Sequence, residues 1–282
     1  RRPLMVGVWG NPGMVRRETG RPMMPRAFRT VRIEAAWEGM VLRSASLVMV
    51  QNDDNAAYVG SRGVMPERIV RFALGNALHQ AHWVDPRVRC TGKPDLADLS
   101  VSGTGTILCV TRLVREKLPD HAVHALVDLL TTGADCELVF VGDGGMRTDL
   151  DALAVALGVH GRVCFAGNRD QEWLARVIPE AAAVVVPLAG RALTEVALGA
   201  APVAAYDVDW HADLIEPGVT GELVPFGDTA ALGRALGRLV ADTEEACRLG
   251  TALRERAIRV MSPEVINREH AAAYERLLDG GW

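Results

Sequence analysis

The chain has 282 residues, of which 49% are hydrophobic and 23% charged, proportions that fit a globular protein and exclude a disordered one. Its formal net charge of -4 is unevenly distributed, because residues 1–94 carry a net +8 and residues 95–282 a net -12. No apolar run reaches the roughly 18–20 residues of a membrane-spanning helix. The first residues also lack the pattern of a signal peptide.

The cysteines are scattered and contain no CxxC pair, which favours free thiols in a reducing compartment. They are Cys90, Cys109, Cys136, Cys164 and Cys247. We therefore expect a cytoplasmic protein.

The basic N-terminal part contains a cluster of arginines in and before a predicted helix. They are Arg16, Arg17, Arg21, Arg26, Arg29 and Arg32. The last three are spaced by three and share one helix face, which is either a solvated basic surface or a patch for anionic lipid head groups or an anionic acceptor. Nucleic acid is not an expected partner, because aromatic residues are not interleaved with the arginines and no zinc-ligand spacing occurs.

In chain order, residues 1–88 alternate between short apolar runs and helical patterns. The predicted strands are 3–10, 46–52 and 67–72. A helix is predicted over 26–45, with Ile33, Trp37, Met40 and Val41 on its apolar face. This part supplies about half of an α/β domain, and we place a linker, poor in periodicity and rich in turn residues, at 89–105.

From residue 106 to 260 the alternation of strands with helices is regular. Such a pattern indicates βαβ units and a doubly wound parallel sheet. Asp228 is the predicted N-cap of a helix that begins at Thr229. Residues 261–282 form a further predicted helix, and the chain as a whole is therefore α/β with two Rossmann-like domains.

Four predicted strand ends in 106–260 carry residues suited to ligand binding, and open α/β sheets bind ligands at that edge. Arg112 and Lys117 follow the first strand. They are either solvated charges or a binding site for a diphosphate, in which the planar guanidinium of Arg112 would donate paired hydrogen bonds and the ammonium of Lys117 would add a compact positive charge. Gly142 and Gly144 follow the second strand, but Arg147 occupies the third glycine position of a dinucleotide fingerprint, so they indicate a tight turn beside a ligand.

The third and fourth strand ends carry Asn168 with Arg169, and the segment from Gly190 to Glu195. Glu195 is a lone carboxylate among apolar and small residues. It is either a solvated helix residue or an acceptor for two hydroxyls of a vicinal diol such as a ribose. Gly190 and Arg191 open the same helix, whose free N–H groups suit an anion.

The remaining candidates are weaker. His211, which follows Trp210 near a strand end, is the best placed of the histidines. Asp207 and Asp209 offer two carboxylates, but no cluster has the spacing of a metal site. We expect neither a metal nor a cofactor.

These motifs together resemble the retaining glycosyltransferases of family four, which have the GT-B architecture of two facing Rossmann-like domains. Arg112 and Lys117 match an R-x4-K pair, and "GDGGMRTDLDALAVALGVHGRVCFAG", "EVALGAAPVAA" and "DLIEPGVTGELV" follow in the family's order. The likeness covers residues 106–280. In 1–88, the segment from "EAAWEGMVL" to "RIVRFALGN" resembles the end of the N-terminal domain more loosely.

The resemblance implies transfer of a hexosyl group from a nucleoside diphosphate sugar with retention of configuration and without a metal. Arg112 and Lys117 would stabilise the diphosphate leaving group. Glu195 matches the glutamate that binds the donor ribose, and the backbone at Asn168 and Arg169 would frame the base. The stretch that meets the donor sugar or phosphate matches Gly190, Arg191, Ala192 and Leu193.

Two features depart from the family pattern. Pro187 stands eight residues before Glu195, where the glutamate that contacts the transferred sugar is expected. The first half of the N-terminal domain, with its glycine-rich loop, also has no counterpart. Both departures favour a rival function, that of a non-catalytic nucleotide-sugar-binding or scaffold subunit. A second rival, a sugar-nucleotide 2-epimerase of related fold, needs catalytic carboxylates and histidines between the domains, and the sequence places none there. The segment 261–282 resembles the helix that crosses back to the N-terminal domain.

Overall fold

A computed structural model describes residues 4–8, 31–71, 96, 99, 105–188 and 190–278, with the side chains of 31–35 excepted. The chain divides into two compact units, one of Arg1–Gly75 with Val260–Trp282 and one of Asn76–Arg259. The predicted linker 89–105 lies outside the described residues, apart from 96, 99 and 105. The side chains of the six N-terminal arginines lie outside them as well, so the proposed basic patch stays a prediction.

In the smaller unit, the described strands form a parallel sheet in the order β1-β2-β3. The strands are β1 Met5–Val8, β2 Leu47–Val50 and β3 Ile69–Arg71, and the helices are α1 Val31–Ser44, α2 Asp53–Ser61 and the final helix α10 Pro263–Leu278. Helix α2 begins where it does because the Asn52 side chain accepts a hydrogen bond of 2.7 Å from the Asn55 amide.

The central strand of this sheet is buried on both faces. Val48 and Val50 pack with Leu42 of α1 on one face, whereas Leu47 packs with Ala273 of α10 on the other. Parallel sheets are usually covered on both faces in this way, which explains the unbroken apolar run in the strand.

The apolar face predicted for α1 is wrong at two of its four residues, whereas Val41 is half-buried and the Ile33 side chain lies outside the described part of the chain. Trp37 and Met40 are 53% and 56% exposed, whereas Gly39 and Leu42 are buried. The buried pair lies two positions, about 200°, around the helix from the predicted face. Hydrophobicity did not identify the buried side because one of its buried positions is a glycine, which has no apolar side chain.

The larger unit contains a six-stranded parallel sheet in the order β6-β5-β4-β7-β8-β9. Its strands are β4 Gly105–Val110, β5 Cys136–Val141, β6 Val163–Gly167, β7 Ala183–Val186, β8 Val203–Tyr206 and β9 Glu222–Val224. Its helices are α3 Pro119–Leu130, α4 Arg147–Ala156, α5 Gln171–Val177, α6 Arg191–Leu198, α7 His211–Leu214, α8 Thr229–Ala241 and α9 Thr243–Met261, the last of which ends just beyond the unit. This topology confirms the doubly wound sheet predicted from the sequence.

Strand order in this sheet reverses between β4 and β7, which are neighbours in the sheet although β5 and β6 lie between them in the sequence. The carboxyl ends of parallel strands lie on one edge, and a crevice opens where the order reverses. The predicted N-cap of α8 is also confirmed, since the Asp228 carboxylate accepts a 2.8 Å hydrogen bond from the Ala231 amide.

The cysteines do not give the uniform picture expected from the sequence. Cys109, Cys136 and Cys164 are free thiols, whereas Cys247 is disulfide-bonded. Within the described residues, no helix combines the length and the apolarity needed to cross a membrane.

Candidate functional site

A cavity of about 520 Å³ lies in the larger unit, at the carboxyl ends of β4 to β7. It is lined by Val110, Thr111, Arg112, Lys117, Val141, Gly142, Asn168, Arg169, Gln171, Leu174, Gly190, Arg191, Ala192 and Glu195. Nine of the eleven residues singled out from the sequence are in this lining. The other two are Gly144, whose backbone lies against that of Leu113, and Leu193, which is fully buried in α6.

Arg112 and Lys117 lie in the loop that connects β4 to α3, with Lys117 at the end of a 3-10 turn over Arg115–Lys117. Burial, and next the neighbouring Arg112, lower the pKa of Lys117 below its usual 10.5, although Asp209 and Glu116 oppose the shift. Arg112 and Lys117 line the same cavity, and their like charges repel each other. A polyanion between them would relieve their repulsion.

Gly142 and Gly144 fix the position of this loop. Gly142 has a φ of 133°, and a Cβ atom there would overlap the Thr111 carbonyl oxygen. A Cβ atom at Gly144 would likewise overlap the carbonyl of Leu113. Glycine is therefore required at both positions so that the backbone after β5 can lie directly against the Arg112 loop.

Arg169 is held by two contacts beside the cavity. Its Nε donates a 2.9 Å hydrogen bond to the Ala166 carbonyl, and its guanidinium lies 5.0 Å from the centroid of the Trp173 ring. Helix α5 starts immediately after this residue, at the N-cap Asp170, whose carboxylate accepts from the Trp173 amide at 2.8 Å. The loop after β6 is thus a fixed wall of the cavity.

Helix α6 presents its N-terminus to the same cavity. Gly190 is the N-cap, and Arg191 is the first helical residue. The backbone of Gly190 lies close to Lys117, because a Cβ atom at Gly190 would be only 3.4 Å from the Lys117 Nζ atom. Unpaired amides of a helix N-terminus next to an ammonium group make a favourable environment for phosphate oxygens.

Glu195 lies one turn into α6 and is only 7% exposed. Its Oε1 accepts a 2.8 Å hydrogen bond from Nε2 of Gln171, the first residue of α5. Sequence reasoning missed Gln171. The signal was available, because Gln171 follows the end of β6 by four residues and the other lining residues occupy equivalent places after their strands.

His211 does not line the cavity. It is fully buried, and its Nδ1 lies 2.7 Å from the Tyr206 carbonyl oxygen. Because a carbonyl only accepts, Nδ1 carries the proton. Burial lowers the pKa of His211 to about 4, so its imidazole is neutral at pH 7.

The cavity thus brings together four cationic side chains, Arg112, Lys117, Arg169 and Arg191, and one carboxylate, Glu195. A doubly wound sheet with such a crevice at its switch point is the architecture of a nucleotide-binding α/β protein.

A family model for glycosyl transferases group 1 matches residues 98–256, more than half of the chain. The chain belongs to this family.

Curated relatives include an alpha-D-kanosaminyltransferase from Streptomyces kanamyceticus, which is 33% identical over 74% of this chain and 55% of its own length. A 2-deoxystreptamine glucosyltransferase from the same organism is 30% identical over 51% of this chain and 38% of its own length. The chain therefore spans about half, or less, of the length of these relatives.

Solved structures show the same fold. Anabaena HepE in complex with UDP and glucose has a TM-score of 0.76 at 18% identity, covering 98% of this chain and 72% of HepE. Sucrose-phosphate synthase from Thermosynechococcus elongatus has a TM-score of 0.75 at 24% identity, covering 98% of this chain and 68% of the synthase. These likenesses confirm the predicted GT-B fold.

Proposed function

We propose that this chain provides the donor site of a glycosyltransferase that moves a hexosyl group from a nucleoside diphosphate sugar to an acceptor, with retention of configuration. The observation that carries the proposal is the juxtaposition of Arg112, Lys117 and the N-terminus of α6 around one cavity, with the buried carboxylate of Glu195 in its wall. Family membership and the UDP held by HepE support a sugar nucleotide as the ligand.

Each part of a nucleoside diphosphate has a complementary group in this cavity. The diphosphate suits the paired cations and the helix amides. The ribose hydroxyls suit Glu195, which can accept from both. The base suits the wall formed by Asn168 and Arg169.

In the reaction, the bond between the anomeric carbon and the β-phosphate oxygen breaks, and negative charge develops on the diphosphate. Arg112 and Lys117 meet that charge as cations already fixed at the cavity wall, and such preorganised groups stabilise developing charge without having to reorient as water must. We invoke no metal ion and no cofactor, because the two side chains and the amides of α6 provide the compensating charge.

The test compares Lys117→Ala with Arg115→Ala. Both variants remove one positive charge from the same 3-10 turn, but Arg115 is exposed and does not line the cavity. We expect UDP or GDP to bind the wild-type chain in calorimetry and to raise its thermal stability. Lys117→Ala should weaken this binding and lower turnover by about 100-fold, whereas Arg115→Ala should resemble the wild type.

Normal turnover in Lys117→Ala would contradict the assignment of this residue to the leaving group. Turnover is measured as release of nucleoside diphosphate from a panel of nucleotide sugars. The anomeric configuration of the product, read by NMR, decides whether the reaction proceeds with retention.

A second candidate function is a non-catalytic nucleotide-sugar-binding subunit, and Pro187 is the observation that favours it. Pro187 directly follows β7, where the resemblance places a glutamate that contacts the transferred sugar. A chain that binds UDP but neither hydrolyses nor transfers from any nucleotide sugar would support this candidate. Slow hydrolysis of a nucleotide sugar by the pure chain would exclude it.

The acceptor is assigned to the basic N-terminal segment, as an anionic molecule or one presented at an anionic membrane surface on the cytoplasmic side. Support comes from the net charge of +8 over residues 1–94. Charge reversal at Arg26, Arg29 and Arg32 should abolish binding to vesicles that contain anionic lipid. Unchanged binding would overturn this part of the proposal.

A further inference from the structure

Gln171 and Glu195 form a hydrogen-bonded pair that connects two helices across the cavity wall. Gln171 begins α5, after β6, and Glu195 lies in α6, after β7. The amide Nε2 of Gln171 donates to Oε1 of Glu195 at 2.8 Å, and both side chains line the cavity. The pair therefore joins the predicted base wall to the predicted ribose site.

The chemistry of this pair is unusual for a buried carboxylate, because the donor is neutral. Burying a charge is costly unless hydrogen bonds compensate it. A carboxylate has about four acceptor positions, and Gln171 is the only side chain in the described part of the molecule that donates to Glu195. Glu195 therefore retains acceptor positions on both oxygens.

A ligand with two adjacent hydroxyls satisfies these remaining positions. The 2′- and 3′-hydroxyls of a ribose both donate to one carboxylate when its plane is held in a fixed orientation. The Gln171 amide provides that restraint, because rotation of the Glu195 carboxylate would break the 2.8 Å bond.

We propose that Gln171 is a positioning residue that orients Glu195 and makes this site selective for ribonucleoside over 2′-deoxyribonucleoside diphosphates. The inference rests on the proposed function, since it assumes that a nucleoside diphosphate occupies the cavity. Selectivity follows because a 2′-deoxy ligand leaves a buried acceptor of Glu195 without a donor. Such a loss corresponds to about 10- to 100-fold in affinity.

The experiment measures dissociation constants of UDP and 2′-deoxy-UDP by calorimetry for three forms of the whole chain. They are the wild type, Gln171→Met, which keeps the length of the side chain but has no donor, and Glu172→Gln. Glu172 is the next residue of the same helix and is exposed, so its variant is the matched control.

The wild type and Glu172→Gln should prefer UDP by at least about tenfold. In Gln171→Met the preference should fall to less than about threefold, through weaker binding of UDP and not of 2′-deoxy-UDP. Gln171→Leu tests the same loss should the methionine variant fail to fold, as judged by its thermal transition.

The outcomes separate the inference from the proposed function. Absence of binding of UDP, GDP and their sugar conjugates to the wild type would overturn the proposed function, and the inference with it. An unchanged preference in Gln171→Met would overturn the inference alone. Equal weakening of both ligands in that variant would also overturn it, because a purely structural role predicts that result.

Discussion

His211 makes the stability of the larger unit sensitive to acid. Its side chain is fully buried, and its Nδ1 donates to the Tyr206 carbonyl oxygen at 2.7 Å. Burial, the largest cause, and the positive charge of Lys117 both lower its pKa, from 6.5 to about 4. Between these two values the unfolded chain binds a proton that the folded chain does not.

The sign and the size of the effect follow from this difference. Below pH 6.5 the unfolded state gains a proton at His211, so the free energy of unfolding falls as the pH falls, until both states are protonated below about pH 4. The full effect is about 3 kcal/mol, of which about 2 kcal/mol is lost between pH 7 and pH 5. The contribution of His211 to the free energy of unfolding is thus present above pH 6.5 and is lost as the pH falls towards 4.

Denaturant unfolding of the wild type and His211→Asn at pH 7 and pH 5 measures this contribution. Asparagine retains a donor for the Tyr206 carbonyl but does not titrate, and every other titrating group is common to both proteins. From pH 7 to pH 5, the free energy of unfolding of the wild type should fall by about 2 kcal/mol more than that of the variant. Equal losses would refute the reasoning, because they would show that the His211 pKa is not lowered by folding.

Three further predictions concern the site and its support. Gly142→Ala should reduce both stability and UDP affinity, because a φ of 133° costs an alanine about 1–3 kcal/mol and its Cβ would overlap the Thr111 carbonyl. Unchanged UDP affinity in calorimetry would show that the Arg112 loop tolerates displacement. UDP affinity should fall as the pH rises towards the lowered pKa of Lys117, below 10.5, and Lys117→Arg should remove that fall, as a calorimetric pH series tests. Asp228→Ala should lower the free energy of unfolding of the larger unit by about 1 kcal/mol, and Asp228→Asn by much less, because asparagine also caps helices. Equal decreases in the two variants, measured by denaturant unfolding, would argue against a capping role.

The sequence predicted the larger unit well because its strands are buried runs separated by helical periodicity. The same regularity located the cavity, since residues that follow parallel strands lie at one edge of the sheet. Arg112, Gly142, Asn168 and Glu195 each follow a different strand, and the rule predicted that they lie together without any knowledge of strand order.

Side-chain partners were beyond such reasoning. The bond between Gln171 and Glu195 depends on the relative position of α5 and α6, which no local pattern encodes. The exposed face of α1 was misassigned for a related reason, since Trp37 and Met40 are apolar but the packed surface contains Gly39. Burial depends on shape as well as on hydrophobicity, and only the packed structure defines that shape.

Glu195 lies in an apolar stretch of the sequence but in the wall of a cavity that is rich in cations. Of the titratable side chains in the cavity lining, four are cations and Glu195 is the one acid, and Gln171 donates a hydrogen bond to it. A nucleoside diphosphate would balance the remaining positive charge through its phosphates. With Pro187 in place of a second glutamate, we expect the lining to contribute little selectivity for the sugar. The nucleotide would then supply most of the donor affinity, and sugar choice would depend on residues outside this cavity.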